Sequence, residues 1–309
     1  MSVSKLVTFA LSKANPKVGV ITLNSPSTLN AVNFQMGAEF NSLTNALCQT
    51  LTGATHNVDP YVAANLPQLT SAQLELPADT HNINSIVLTG AGKAFSAGGS
   101  FDFLYSRTDS PPHVNAATMY NFYKMFLSVR NLPIPVVTAI NGPAVGAAAC
   151  LTLATEYRVM NSNAVIGFNF CRIGIHPGMG GSHFLPRLIG QGKANRMLLG
   201  GRLVNGAEAE SMGLIDEVVQ VEKGTKVGDE SCPVLQRGIE IASEFSNCSP
   251  VASRGALRSL RMRVDDGLEE SLRREADQQA LCYARNDWKE GLDAVKGKRE
   301  PKFDPHFSY

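Results

Sequence analysis

The sequence predicts an α/β fold in which short strands alternate with helices, followed by a C-terminal helical region. Three observations support this prediction. β-branched runs such as SIVLT at 85–89 and PVVTA at 135–139 are typical of buried strands. Each of these runs ends in glycine-rich residues that lead into a sequence able to form a helix. From about residue 233 onward the pattern is charged and helical, so the alternation stops there.

Apolar periodicity defines the individual elements. The predicted strands lie at 6–9, 18–23, 86–89, 136–139, 157–160, 165–168 and 216–221. The predicted helices lie at 33–50, 119–130, 145–154, 182–189, 195–199 and 207–212. Residues 52–84 contain three prolines among polar residues, and 106–114 contain two, so we predict an insertion and a loop there. The strands and helices thus form a core over 1–225, and the helical region spans 226–309.

Composition excludes several classes of function. Hydrophobic residues make up 44% of the 309 residues, and the formal net charge is +1. This near-neutral balance leaves no electrostatic footprint for nucleic acid, and no apolar run reaches membrane-spanning length. We therefore expect neither a nucleic-acid partner nor membrane insertion. The six cysteines lack metal-site spacing, so we expect reduced thiols in an intracellular protein without a metal centre. Mitochondrial, peroxisomal and cytosolic locations all stay open.

Two glycine-rich stretches carry the chemical signal, GAGKAFSAGGSFDFL at 90–104 and AINGPAVGAAACL at 139–151. A strand that ends in small residues and turns into a helix leaves backbone N–H groups free, with no side chains blocking approach. Two such turns that converge on one point would form an oxyanion hole, which stabilises negative charge on a carbonyl oxygen.

Five segments of the chain form a specific set: LNSPSTLNAVN (23–33), KAFSAGGSFDFL (93–104), PIPVVTAINGPAVGAAACLTLATEYRV (133–159), IGFNFCRIGIHPGMGGSHFLPRLIG (166–190) and NDWKEGLDAVKGKREPKF (286–303). Together they resemble the crotonase superfamily, the enoyl-CoA hydratases and isomerases, along nearly the full length of the chain. The resemblance implies a crotonase-like spiral of β-β-α units with a helical C-terminal trimerisation region, so that homo-trimers or hexamers are expected. It also implies a coenzyme A thioester as substrate and no permanently bound cofactor.

The resemblance assigns roles to individual positions. The oxyanion donors carry over to the backbone N–H groups of Gly99 and Ala147. Adenine contacts fall on the backbone near Leu29, Ala31 and Ala97. One further binding position is Lys298, which matches the family's terminal basic residue and could meet a phosphate of coenzyme A. Alternatively, this lysine belongs to a solvated helix end that is favourable against the helix dipole.

The catalytic carboxylates of the family are missing. Hydratases of the family place two glutamates around the thioester, and the matching positions here are Cys150 and Phe170. An alternative isomerase position, just after Pro177, holds Gly178 and Met179. General acid–base catalysis by side chains typically raises the reaction rate about 10²–10⁴-fold. The sequence therefore favours isomerisation or another enolate reaction over hydration by two glutamates.

Other polar side chains near these positions have two interpretations each. Cys150 could be a thiol activated by a helix N-terminus or a small buried core residue. Asn169 could orient water or a carbonyl group without exchanging protons. His176 and His183 flank the PGMGG turn and could reach the acyl group, although surface or capping roles are commoner. Glu156 lies too far along the helix for catalysis and is predicted to be structural.

Three hypotheses follow from the sequence. The first is an acyl-CoA-binding enzyme that stabilises a thioester enolate. The second is a catalytically silent acyl-CoA-binding paralogue that keeps the fold and the oligomer. The third is a thioesterase or acyl transferase with Cys150 as the nucleophile, which needs a base within hydrogen-bond reach.

Overall fold

The structure is a computed structural model, and it describes residues 5–53, 76–222, 224–225 and 231–304. Most of the insertion predicted at 52–84 lies outside the described residues. The described ends of this region are the last residues of the first helix and a short 3-10 helix, Ala78–Asn82.

Nine strands form two sheets in the described part of the chain: β1 (Val7–Leu11), β2 (Val18–Leu23), β3 (Ser85–Gly90), β4 (Val136–Ile140), β5 (Ala144–Val145), β6 (Tyr157–Asn161), β7 (Val165–Gly167), β8 (Leu203–Asn205) and β9 (Glu217–Val219). The larger sheet has the order β1-β2-β3-β4-β6-β9, and the smaller one has the order β5-β7-β8. In the larger sheet only β1 and β2 pair antiparallel, while every other neighbouring pair is parallel.

The described α-helices are α1 (Phe34–Thr52), α2 (Phe101–Tyr105), α3 (Pro112–Leu127), α4 (Ala147–Leu153), α5 (Gly181–Ile189), α6 (Gln191–Leu199), α7 (Gly206–Ser211), α8 (Pro233–Ser246), α9 (Pro250–Asp265), α10 (Leu268–Tyr283) and α11 (Asp287–Lys296). Three starts differ from the prediction. Helix α6 begins at Gln191, four residues before the predicted start at 195. Helix α3 begins at Pro112, inside the predicted loop, because proline is well suited to the first turn of a helix. Helix α4 begins at Ala147 rather than at 145, because Val145 pairs with Gly167 in the smaller sheet.

The central strands are buried on both faces. Ile86 and Leu88 of β3 face the main core, which also contains side chains of α1 and α3. Val87, between them, faces α8 on the opposite side of the sheet. This alternation is what a strand imposes on successive side chains. Helix α8 lies close to the sheet at Gly238, where an added Cβ would be 3.2 Å from the Cβ of Ala139.

The sheet places two turns at the same edge. β3 and β4 are adjacent and parallel, from the pair Ile86–Val136 to the pair Thr89–Ala139. Their carboxyl ends therefore point the same way, where open parallel sheets bind their ligands. Within the described residues, no helix has both the length and the apolarity needed to cross a membrane.

Candidate active site

The turns that follow β3 and β4 are joined by backbone hydrogen bonds. Ser96 N–H donates to the carbonyl of Pro143 at 3.1 Å, and Val145 N–H donates back to Ser96 O at 3.1 Å. Gly98 adopts a positive φ of +88°, and a Cβ placed there would be 2.5 Å from Val145 O and 3.9 Å from Ala147 N. The two turns are thus packed backbone against backbone, and only glycine permits this distance at position 98.

The N–H groups predicted to form the oxyanion hole are available. Gly99 forms a parallel bridge with Val32, in which Val32 N–H donates to Gly98 O and Ser100 N–H donates to Val32 O. This pairing turns the N–H of Gly99 away from Val32. Ala147 is the first residue of α4, where N–H groups lack an acceptor within the helix. Neither N–H group has a hydrogen-bond acceptor among the described residues.

Gly99 and Ala147 line one cavity of about 300 Å³. Its walls are mostly apolar side chains of α2, α3 and α11, including Phe103, Phe122 and Leu292. The polar side chains at the cavity, among the described residues, are Tyr123, Asn169, Gln279 and Tyr283. No carboxylate, histidine, lysine or arginine side chain belongs to this described lining.

The two positions that the sequence resemblance assigns to glutamates differ in location. Phe170 lines the cavity with an apolar ring. Cys150 is fully buried and is not among the lining residues. A Cβ on Gly181 would be 2.9 Å from its Sγ, which places the thiol against α5. Burial, with a smaller contribution from Glu275, raises the pKa of Cys150 well above its usual range. This favours the core interpretation, because a nucleophilic thiol needs a lowered pKa.

Asn169 lies beside the second turn, whereas the two histidines are engaged elsewhere. The Oδ1 atom of Asn169 is 3.3 Å from the point that a Cβ on Gly146 would occupy. His176 Nδ1 contacts the carbonyl of Pro177 at 2.6 Å. His183 Nε2 donates to Val264 O at 2.7 Å. Burial lowers the pKa of both histidines, and neither lines the cavity, which favours their structural interpretation.

Glu156 has a structural environment. Its carboxylate binds the guanidinium of Arg261 at 2.9 and 3.0 Å and accepts a hydrogen bond from Val136 N–H at 2.8 Å. Arg261 also donates to the carbonyls of Arg130 and Leu132. This pair connects α9 to the start of β4 and lies away from the cavity lining.

Two buried asparagines, which sequence reasoning missed, hold the first turn in place. The Nδ2 atom of Asn30 lies 2.8, 2.9 and 3.2 Å from the carbonyls of Ala91, Ala94 and Phe95. Asn141 donates to Gly92 O at 2.9 Å and accepts from Gly90 N–H at 3.2 Å. Both asparagines are fully buried. Each lies within a glycine-rich or loop motif, which is the one sequence signal that could have identified it.

Glu275 was also missed. Its carboxylate accepts hydrogen bonds from Gly180 N–H at 2.7 Å, Ser182 N–H at 2.8 Å and Ser182 Oγ at 2.6 Å. It thereby holds the turn at the start of α5. Burial raises the pKa of Glu275 to about 7, although these hydrogen bonds lower it. No local signal reveals this role, because Glu275 lies in a helix rich in charged residues.

The predicted adenine positions are partly brought together. Ala97 N–H donates to Leu29 O at 2.9 Å, and Ala97 is exposed at the cavity lining. Leu29 has a φ of +55° and is 37% exposed, and Ala31 follows in the same loop. Lys298 is exposed beyond the end of α11 and does not line the cavity.

Lys296 lies beside a residue of the cavity lining. Its ammonium lies 4.2 Å from the ring centre of Tyr105 and 5.5 Å from that of Phe101. Phe101 belongs to the cavity lining. Cation–aromatic contacts of this kind attract the ammonium to the rings, and Lys296 is exposed.

The chain is similar to proteins of known sequence. The profile described as enoyl-CoA hydratase/isomerase matches residues 66–306. A candidate enoyl-CoA hydratase of Thermus thermophilus is 33% identical over 246 residues, covering 80% of this chain and 91% of that protein. The crotonyl-CoA hydratase of Syntrophomonas wolfei is 28% identical over 288 residues, covering 93% of this chain and 94% of that protein.

Solved structures show the same fold. An enoyl-CoA hydratase/isomerase from Pseudoalteromonas atlantica superimposes with a TM-score of 0.71 at 24% identity, covering 97% of this chain and 100% of that one. An enoyl-CoA hydratase/isomerase from Mycobacterium paratuberculosis gives a TM-score of 0.73 at 22% identity, covering 95% of this chain and 99% of that one. The predicted α/β spiral with a helical C-terminal region is confirmed by this likeness.

Proposed function

Because the chain belongs to the enoyl-CoA hydratase/isomerase family, a family of enzymes, we propose that it acts on an acyl-CoA thioester through an enolate. The oxyanion is held by the N–H groups of Gly99 and Ala147. One observation carries the proposal: two residues whose N–H groups have no acceptor among the described residues line a single apolar cavity.

This arrangement suits an enolate for a physical reason. When a base removes the α-proton of a thioester, negative charge moves to the carbonyl oxygen. A donor that already points at that oxygen stabilises the charge without reorganisation, and loss of one donor costs about 2.7–4 kcal/mol. The apolar walls strengthen both hydrogen bonds, since water competes poorly there. The backbone hydrogen bonds between the two turns keep the two donors in place.

The proposed reaction is isomerisation or another enolate reaction, not hydration by two glutamates. Cys150 and Phe170 occupy the two glutamate positions, and the described lining of the cavity holds no carboxylate. We assign the removal of the α-proton to a substrate-assisted step or to a base outside the described lining. Asn169 would orient water or the substrate carbonyl through its amide, without exchanging protons. Cys150 is assigned to the core, so a thioesterase with this nucleophile is not favoured.

Coenzyme A would bind along the loops at the mouth of the cavity. Adenine would contact the backbone near Leu29, Ala31 and Ala97, where the first loop and the oxyanion turn share a hydrogen bond. Lys296 is the last residue of α11 and Lys298 follows it, and both would meet the phosphates. We further propose a homo-trimer or hexamer, as the sequence resemblance implies, and an intracellular location, as the cysteine pattern indicates.

The alternative is a silent paralogue that binds acyl-CoA without turning it over. The observation that favours it is the missing general base among the described lining residues. Deuterium exchange separates the two functions: the protein is incubated with butanoyl-CoA and 3-hexenoyl-CoA in heavy water, and mass spectrometry follows label at the α-carbon. Exchange well above the protein-free rate supports the enolate. Tight binding of both thioesters with no exchange and no isomerisation supports the silent paralogue.

A further inference from the structure

Tyr123 belongs to the apolar cavity wall and carries a buried hydroxyl group. Its side chain is only 2% exposed, and it belongs to the lining of the cavity that contains Gly99 and Ala147. Its Oη atom has no hydrogen-bond partner among the described residues. Most buried polar groups in folded proteins are hydrogen-bonded, so an exception of this kind calls for an explanation.

The neighbouring polar groups are already paired. Gln279 Nε2 donates to His176 O at 2.6 Å, and its Oε1 accepts from the hydroxyl of Tyr283 at 3.3 Å. Gly178, on the facing side, has no side chain to offer, and a Cβ there would be 2.5 Å from Tyr123 Oη. Phenylalanine would fill the same space as Tyr123 without burying an unpartnered hydroxyl. The hydroxyl therefore suits a partner that enters the cavity from outside the protein.

We propose that Tyr123 Oη donates a hydrogen bond to a neutral oxygen on the acyl chain, beyond the thioester carbonyl. The preferred ligands are then acyl-CoA thioesters that carry a keto, ether or hydroxyl oxygen. This inference rests on the proposed function, because it takes the cavity to be the acyl site. It makes Tyr123 a specificity-determining residue.

The environment of Tyr123 determines the direction of this hydrogen bond. Burial, and next the nearby Glu275 carboxyl, raise the pKa of the Tyr123 phenol well above its usual range. The phenol therefore stays protonated and donates, and it is unsuited to accept the α-proton as a base. A carboxylate on the acyl chain is disfavoured, since no cationic side chain belongs to the described lining and an unpaired buried charge is unstable. A neutral oxygen remains as the partner.

Calorimetric binding to matched probes tests the proposal. The probes are hexanoyl-CoA, 3-oxohexanoyl-CoA and 5-oxohexanoyl-CoA, which share a chain length and differ in the oxygen. A neutral hydrogen bond in a buried site corresponds to about a 3- to 10-fold difference in affinity. We expect the wild-type protein to prefer at least one oxo probe over hexanoyl-CoA by this factor. Tyr123→Phe should reduce the preference to less than about twofold.

Tyr283→Phe is the matched control. Tyr283 also lines the cavity, but its hydroxyl is bonded to Gln279. This variant should keep the preference for the oxo probe. Thermal unfolding of the ligand-free proteins gives a second readout: Tyr123→Phe should melt at or above the wild-type temperature, and Tyr283→Phe below it.

The possible outcomes distinguish a failure of this inference from a failure of the proposed function on which it rests. Binding of all three probes with equal affinity by the wild-type protein overturns the inference and leaves the proposed function intact. If Tyr123→Phe keeps the preference for an oxo probe, the inference is likewise overturned and the proposed function is unaffected. Failure of every coenzyme A thioester to bind overturns the proposed function and the inference together.

Discussion

Gly98→Ala tests the geometry of the proposed oxyanion site with a single methyl group. The added Cβ would be 2.5 Å from Val145 O, and real Cβ contacts are essentially never shorter than 3.0 Å, so the turns must separate by at least about 0.5 Å (3.0 minus 2.5). The positive φ of +88° adds backbone strain of about 1–2 kcal/mol. We expect α-deuterium exchange to fall about 100-fold, because displacing one donor removes most of its stabilisation of the oxyanion.

Two glycines provide controls for this variant. Gly53 also has a positive φ, +71°, but a Cβ there meets nothing within 4 Å. Gly53→Ala should therefore lose about 1–2 kcal/mol of unfolding free energy and keep its exchange rate. Gly192 lies in α6, and a Cβ there also meets nothing within 4 Å, so Gly192→Ala should be neutral or slightly stabilising.

The measurements are the exchange rate at saturating butanoyl-CoA, followed by mass spectrometry, and the free energy of unfolding from urea titration. If Gly98→Ala exchanges deuterium within about threefold of the wild-type rate, the two turns do not form the oxyanion site as described. An equally large loss of exchange in Gly53→Ala would attribute the effect to general destabilisation instead.

Three further predictions concern stability and the remaining candidates. The pKa of Glu275 is about 7 in the folded protein, above its usual value of 4.5. As the pH rises, the carboxyl therefore ionises first in the unfolded chain. The free energy of unfolding should fall by on the order of 3 kcal/mol as the pH rises from about 4.5 to 7. Urea titrations across this range should show a flatter profile for Glu275→Gln, and an unchanged slope would argue against the assignment. Asn30→Ala leaves buried carbonyls of the first turn without their donor and should lower the free energy of unfolding by about 2–4 kcal/mol. Denaturant unfolding checks this, with exposed Asn195→Ala as a near-neutral control, and a loss below about 1 kcal/mol would contradict the proposed role. Cys150→Ala should keep α-exchange within a few-fold of wild type, whereas loss of exchange in a folded variant would return the thiol to the list of catalytic groups.

The secondary structure was largely predictable because its signals are local. The runs at 18–23, 86–89 and 136–139 are apolar and β-branched, and each forms a strand with similar bounds. The start of α3 was not recognised, since Pro111 and Pro112 were interpreted as loop residues although proline is well accommodated in a first helical turn.

The roles of buried polar residues were not predictable. Asn30 contacts carbonyls more than 60 positions away, and Glu275 holds a turn more than 90 positions before it. The buried place of Tyr123 in the cavity wall likewise depends on packing between separate helices. A polar residue in a loop or a charged helix has the same local pattern whether it ends in solvent or in the core.

The sequence by itself determined which chemistry is available: glycine-rich turns after two strands, and no carboxylate at positions 150 and 170. These features depend on residue type and on spacing along the chain. The tertiary structure alone decided that Gly99 and Ala147 line one cavity and that Cys150 is not among its lining residues. It also decided the raised pKa of Glu275. Cavity shape and desolvation arise from residues that are distant in the chain and adjacent only after folding, so no local pattern encodes them.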